Sequence, residues 1–201
     1  MRDGRFTVAG TDRGVTLDKV ARAAYQPRQL PAGLEPGFSE TAAFVPPAVT
    51  FPNGSHVCEV EIDESTGSVR VTRYTVVDDV GRMVNPMLVK GQIHGGIVQG
   101  LGQGLAEVLA YDDAGQLLAG SLLDYAIPRA DELPLFEVDS HEVPTRVNPL
   151  GAKGVGEAGT VGALPALLNA VNDALAPLGV RHLDMPVTPE RVWRAMRAGG
   201  S

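Results

Sequence analysis

Val89-Lys90-Gly91-Gln92-Ile93-His94-Gly95-Gly96-Ile97-Val98-Gln99-Gly100-Leu101-Gly102-Gln103-Gly104-Leu105-Ala106-Glu107-Val108-Leu109 is the stretch on which the fold turns. Val89, Ile93, Ile97, Leu101 and Leu105 recur every four positions, a helical period. Its glycines oppose that pattern, because each costs about 0.8–1 kcal/mol against alanine inside a helix. A helix that keeps them needs a bare backbone surface, and either another helix or a large ligand approaching closely supplies the reason. The Gly96, Gly100, Gly104 spacing also suits helix pairing in a membrane. Lys90, Gln92, His94, Gln99 and Gln103 argue against lipid. Gln92, Gln99 and Gln103 share one helix face, as a solvated polar stripe or as amides presented together to a ligand.

Upstream lies a hairpin. His56, Cys58, Val60 and Ile62 alternate with Val57, Glu59, Glu61 and Asp63, Glu64-Ser65-Thr66-Gly67 makes the turn, and Val69 and Val71 return toward Val77. His56 and Cys58 read as core residues, because two ligand types on one strand without a further cluster do not make a metal site. Residues 1–47 are irregular, with a strand candidate at Phe6 to Ala9 and a helix capped by Thr16 that aligns Leu17, Val20, Ala21 and Ala24. Prolines at 27, 31, 36, 46 and 47 mark an extended segment lying on something else.

Downstream the pattern predicts a hairpin around Asp113-Ala114-Gly115-Gln116, a strand near Phe136 to Val143, and a final helix over about Leu164 to Ala176 with Pro165 near its start. The fold expectation is α+β, built from antiparallel hairpins with a Gly-rich helix and a C-terminal helix. Residues 48–201 form one part, with no internal repeat.

Residues 148–163 carry glycines at 151, 154, 156, 159 and 162, a backbone able to wrap a ligand with its N–H groups. Gly154-Val155-Gly156-Glu157-Ala158-Gly159 matches the dinucleotide pattern G-x-G-x-x-G, but Asn148-Pro149-Leu150 rather than a strand precedes it, and no later strand offers the ribose-binding acid. Lys153 lacks the Gly-Lys-Ser/Thr order of a phosphate loop. One carboxylate, Glu157, stands among the glycines. It reads either as a general base in a desolvated loop or as a cap on the following helix.

Composition narrows the partners. The chain has 201 residues, 44% hydrophobic, with net charge -7 and no basic run to neutralise phosphates, which argues against DNA and RNA. Cys58 is the single cysteine, so the chain alone holds no disulfide and no four-cysteine cluster, and any redox centre is borrowed. No stretch approaches a membrane span and the N-terminus lacks a signal-peptide core. A reducing, cytoplasmic setting is expected.

Val77-Asp78-Asp79-Val80-Gly81, Asn85-Pro86, Gly91 to Gly102, Gly151-Ala152-Lys153-Gly154-Val155-Gly156-Glu157, Asn169 to Leu175 and Pro186-Val187-Thr188-Pro189-Glu190, in that order, resemble the C-terminal part of molybdenum hydroxylase large subunits. That family includes xanthine dehydrogenases, aldehyde oxidoreductases and aerobic carbon monoxide dehydrogenases, and the 148–154 wording is similar to the last branch. The resemblance spans roughly residue 40 to the end. It implies a molybdopterin-binding domain in which Gln92 contacts a molybdenum-carrying pterin, bound as the cytosine dinucleotide in bacteria. It also implies that Lys153, Gly154, Val155 and Gly156 line that cofactor with backbone, and that Glu157 is the acid beside the metal. No residue of this chain is assigned as a metal ligand.

The implied chemistry is hydroxylation with oxygen from water, or oxidation of carbon monoxide, with electrons leaving through [2Fe-2S] clusters to FAD on iron–sulfur and FAD subunits. Family large subunits are several times longer than this chain. The remainder would carry the rest of the cofactor cage, most of the substrate channel and, in the carbon monoxide branch, a copper-holding cysteine that Cys58 does not replace. The chain is therefore expected to be one piece of a large subunit, inactive alone and assembling with the remainder. A non-catalytic module that keeps the fold is the alternative; a nicotinamide-dependent oxidoreductase is a poor third.

Overall fold

The computed structural model describes residues 3–39 and 41–199. The chain divides into two compact units between Val45 and Pro46. In the first, β1 (Arg5–Thr7) pairs antiparallel with β2 (Gly14–Thr16), and α1 (Leu17–Ala24) follows with Thr16 at its N-cap position. Thr16 takes the expected position, but its side chain makes no capping hydrogen bond; β2 was too short to show a period. Leu17 stays exposed and Ala24 is the buried residue of α1.

The second unit is a three-stranded sheet with helices packed on it. β3 (Asn53–Ile62) and β4 (Val69–Asp79) form the expected antiparallel hairpin, with His56 opposite Val76 and Ile62 opposite Val69. A register shift at Glu59/Val60 resets the β4 alternation, so Val71, Tyr74 and Val76 all point inward. β5 (Glu137–Ser140) adds to β4 in parallel, Val76 facing Val138. The parallel strand corrects the all-hairpin expectation: the long 106–136 connection lets the chain re-enter in the same direction, as a parallel pair requires. Around Asp113-Gly115 a turn forms, with a single bridge between Tyr111 and Leu117 in place of a strand ladder.

The Gly-rich helix is α2 (Pro86–Leu105), starting three residues before the periodic pattern and ending four before it. Asn85 caps it, its side chain accepting from the Leu88 N–H at 3.2 Å, and Pro86 takes the first turn, where its missing N–H is harmless. α3 (Ala158–Leu175) starts six residues earlier than expected and holds Pro165 in its interior. The downstream part of the Gly-rich segment, 158–163, is helical because it packs on α2, while 151–157 stays a loop. A further helix, α4 (Pro189–Gly199), was not anticipated, although Thr188-Pro189-Glu190 is a helix-start signal.

The core lies between the sheet and the helices. Val71, Tyr74 and Val76 of β4 meet Ile93, Ile97 and Leu101 of α2 and Ala163, Leu167, Val171 and Leu175 of α3, with Val187 and Val192 closing one end. Each such large side chain contributes about 1.5–3 kcal/mol on burial. Ala158–Leu178 is long and apolar enough, by length and composition, to cross a membrane, which corrects the reading that no segment approaches a span. Its apolar side is the one that α2 and β3 cover.

Bare backbone is what α2 and α3 share. A Cβ on Gly100 would lie 2.7 Å from Ala163 Cβ, one on Gly96 3.0 Å from the Thr160 nitrogen, and one on Gly159 2.5 Å from the Ile93 carbonyl oxygen. Thr160 Oγ1 donates to the Gly96 carbonyl at 3.0 Å across this seam. Another helix is therefore the close neighbour of Gly96, Gly100 and Gly104. Gly91 and Gly95 face open space, with nothing within 4 Å of a built Cβ.

Candidate functional site

The open glycines lie on the α2 face that carries Gln92. The Gln92 carboxamide donates from Nε2 to the Gly156 carbonyl at 2.8 Å, joining α2 to the Gly-rich loop. A pocket of about 370 Å³ opens there, its walls including Val80, Leu88, Gln92, Lys153, Val155 and Gly156. The structure thus brings Gln92, Lys153, Val155 and Gly156 together. Gly154 lies in the same loop, exposed and with nothing near a built Cβ.

Glu157 follows Gly156 at the N-cap position of α3, exposed, and its side chain makes no capping hydrogen bond. Capping is therefore not what it does here. The desolvation expected of a general base is not supplied by this chain either. The Gln99 carboxamide lies 3.2 Å from Thr160 Oγ1, so only part of the glutamine stripe faces open space.

The loop presents donors. Among the described residues, the N–H groups of Gly154, Val155, Gly156 and Glu157 have no acceptor. Lys153 differs: its N–H donates to the Val80 carbonyl at 2.8 Å, and its ammonium pairs with Asp79. Lys153 lines the pocket, but neither of these groups is free for a ligand.

Asp79 is the residue that sequence reasoning passed over. Its Oδ1 accepts from the Gly81 N–H at 2.8 Å and the Val143 N–H at 3.0 Å, and its Oδ2 from Lys153 Nζ. Burial pushes the Asp79 carboxyl up, yet the Lys153 ammonium and the two backbone donors outweigh it and hold the carboxyl below its ordinary value. The available signal was Asp78-Asp79, two acids in succession at the end of a core strand.

Next to it a second polar cluster is buried. The Tyr74 hydroxyl lies 2.8 Å from His56 Nδ1, and His56 Nε2 lies 3.2 Å from Asp78 Oδ1. His56 is thus held by Tyr74 and Asp78, and no cluster of three potential metal ligands occurs among the described residues.

A model of the molybdopterin cofactor-binding domain matches residues 1–134. The chain belongs to that family. This molybdopterin cofactor-binding domain is 43% identical over 194 residues to the carbon monoxide dehydrogenase large chain of Hydrogenophaga pseudoflava, covering 96% of this chain and 24% of that one. It is 45% identical over 199 residues to the nicotine 6-hydroxylase large subunit of Paenarthrobacter nicotinovorans, with 98% and 24% covered. Its fold matches the crystal structure of a Cu,Mo-CO dehydrogenase with a TM-score of 0.90 at 37% identity, covering 98% of this chain and 25% of the other. The domain thus spans about a quarter of the length of these relatives. Its own geometry fits an anionic pterin ligand: consecutive backbone donors without acceptors, two glycines with no neighbour in the way, and the Gln92 amide at their edge.

Proposed function

We propose that this chain supplies one wall of a molybdenum hydroxylase active site, with Gln92 and the 154–156 backbone holding a molybdopterin cytosine dinucleotide cofactor and Glu157 acting as general base. The observation that carries the reading is the run of unpaired N–H groups at Gly154, Val155, Gly156 and Glu157, abutting Gln92 and ending on the one acid of the loop. When bound, the molybdenum cofactor supplies transfer of a water-derived oxygen and accepts two electrons. The backbone N–H groups orient the cofactor by donating to its oxygens. Gln92, pinned by Gly156, keeps its Oε1 and remaining N–H for it. The Glu157 carboxylate accepts the proton that leaves the oxygen as it is transferred.

Partners follow from the same reading. The remainder of the large subunit encloses Glu157 and completes the substrate channel, and iron–sulfur and FAD subunits carry the [2Fe-2S] and FAD centres in a cytoplasmic complex. The substrate is a small molecule. The two relatives named act on carbon monoxide and nicotine, so this wall is compatible with different substrate channels. The exposure of Glu157 favours one other reading, a non-catalytic module.

Glu157→Gln in the reconstituted complex separates the two. The variant is nearly isosteric but cannot take the proton, so turnover falls by about 10²–10⁴ with molybdenum and pterin content unchanged. Full activity of the variant would favour the non-catalytic module.

A further inference from the structure

Four features fix the upstream end of the Gly-rich loop. The Lys153 N–H donates to the Val80 carbonyl at 2.8 Å and the Arg82 N–H to the Gly151 carbonyl at 2.9 Å, so residues 151–153 are laced to the end of β4. The Lys153 ammonium reaches Asp79 Oδ2 and lies 3.5 Å from Asn53 Oδ1 on β3. Asp79 Oδ1 draws in the Val143 N–H from the segment after β5. Both side chains are largely out of water, Lys153 13% and Asp79 8% exposed.

Beyond Lys153 this lacing stops. Among the described residues no backbone N–H from Gly154 to Glu157 has an acceptor, and Gly154 and Gly156 add no side chain to limit the backbone. On the downstream side the loop is held by Gln92 on the Gly156 carbonyl and by Gly159 seated against Ile93. Within the span the Val155 carbonyl accepts from the Ala158 N–H at 3.3 Å, the Glu157 carbonyl accepts from the Val161 N–H at 3.0 Å, and the Val155 side chain packs against the core, so the course of the backbone between Lys153 and these contacts is set from its upstream end. The lysine also has no free charge to offer an anion, since a carboxylate already engages it in a buried site.

We propose that Asp79 and Lys153 are positioning residues whose ion pair sets the course of the Gly154–Glu157 loop and so places Glu157, rather than binding the cofactor themselves. The proposal rests on the reading of Glu157 as the base. Removing either partner leaves the other charge buried and uncompensated, and the loop end has to leave its seat to solvate it. Lys153→Met keeps the length of the side chain and removes the cation; Asp79→Asn keeps an acceptor for Gly81 and Val143; Lys153→Arg keeps the cation.

A glutamate-specific protease reports the loop directly, because cleavage after Glu157 requires a mobile backbone there. In the purified chain, Lys153→Met and Asp79→Asn should be cut after Glu157 at least tenfold faster than wild type. Cleavage after Glu64 in the β3–β4 turn should be unchanged, and Lys153→Arg should stay near wild type. In the reconstituted complex, Lys153→Met should lower kcat at least tenfold with KM and cofactor content retained.

Unchanged cleavage after Glu157 would overturn the proposal. Equal acceleration at Glu64 would also overturn it, since the pair would then be a general stability element. Cofactor loss in Lys153→Met without faster cleavage would overturn it too, making Lys153 a direct ligand. A fully active Glu157→Gln would remove the base reading alone, since faster cleavage at Glu157 would still show that the pair holds the loop.

Discussion

Replacing Gly159 by alanine puts a methyl group 2.5 Å from the Ile93 carbonyl oxygen and 2.9 Å from the Ile97 nitrogen, both backbone atoms of α2. A side-chain end could rotate away; a helix backbone cannot, so α2 and α3 must separate. Overpacking of this kind costs about 1–3 kcal/mol. The gain in helix propensity offsets at most about 0.8–1 kcal/mol. The net loss of roughly 0–2 kcal/mol lowers Tm by up to about 8 °C in a chain of this size. Gly95→Ala is the matched control, since nothing lies within 4 Å of its built Cβ. It keeps the propensity gain and raises Tm by about 2–4 °C. Circular dichroism melts at a fixed protein concentration read both. A Gly159→Ala variant melting above wild type, as Gly95→Ala does, would refute the close α2–α3 seam.

Two further outcomes follow from burial. Desolvation, with a smaller contribution from Glu59, pushes the Cys58 thiol up to about 12. The folded chain therefore keeps a proton that the unfolded chain loses near pH 9, so this contribution to stability is complete below that pH and is lost as pH rises toward 12. Cys58 should resist a thiol reagent at pH 8 until denaturant is added; rapid native labelling would contradict its burial. Separately, Met87, Leu123 and Leu135 are exposed at 76%, 93% and 96%, apolar side chains that the proposed remainder of the large subunit would cover. The purified chain should self-associate or melt at a concentration-dependent temperature, and the complementary polypeptide should stabilise it. Light scattering that finds a monomer with a high, concentration-independent Tm would count against that.

Local rules determined the β3–β4 hairpin and the helical nature of α2. An alternation of two and a recurrence of four are written in consecutive residues, and the ordered motifs around Gln92 and Glu157 were enough to identify the family. The sequence also posed the question of the glycines without answering it, since another helix and a ligand make the same demand for bare backbone. The fold answers it residue by residue: Gly96, Gly100 and Gly104 serve α3, while Gly91 and Gly95 remain open beside Gln92. The start of α3 and the parallel seat of β5 were illegible for a related reason. Gly-rich helix entrances and four-residue strands have too little local preference to declare themselves, and packing decides them. Asp79 and Lys153 stand 74 positions apart, and neither carries a local sign of the other. Only the antiparallel hairpin and the return of the chain along β4 bring them together, because an ion pair depends on distance in space and a sequence records distance along the chain.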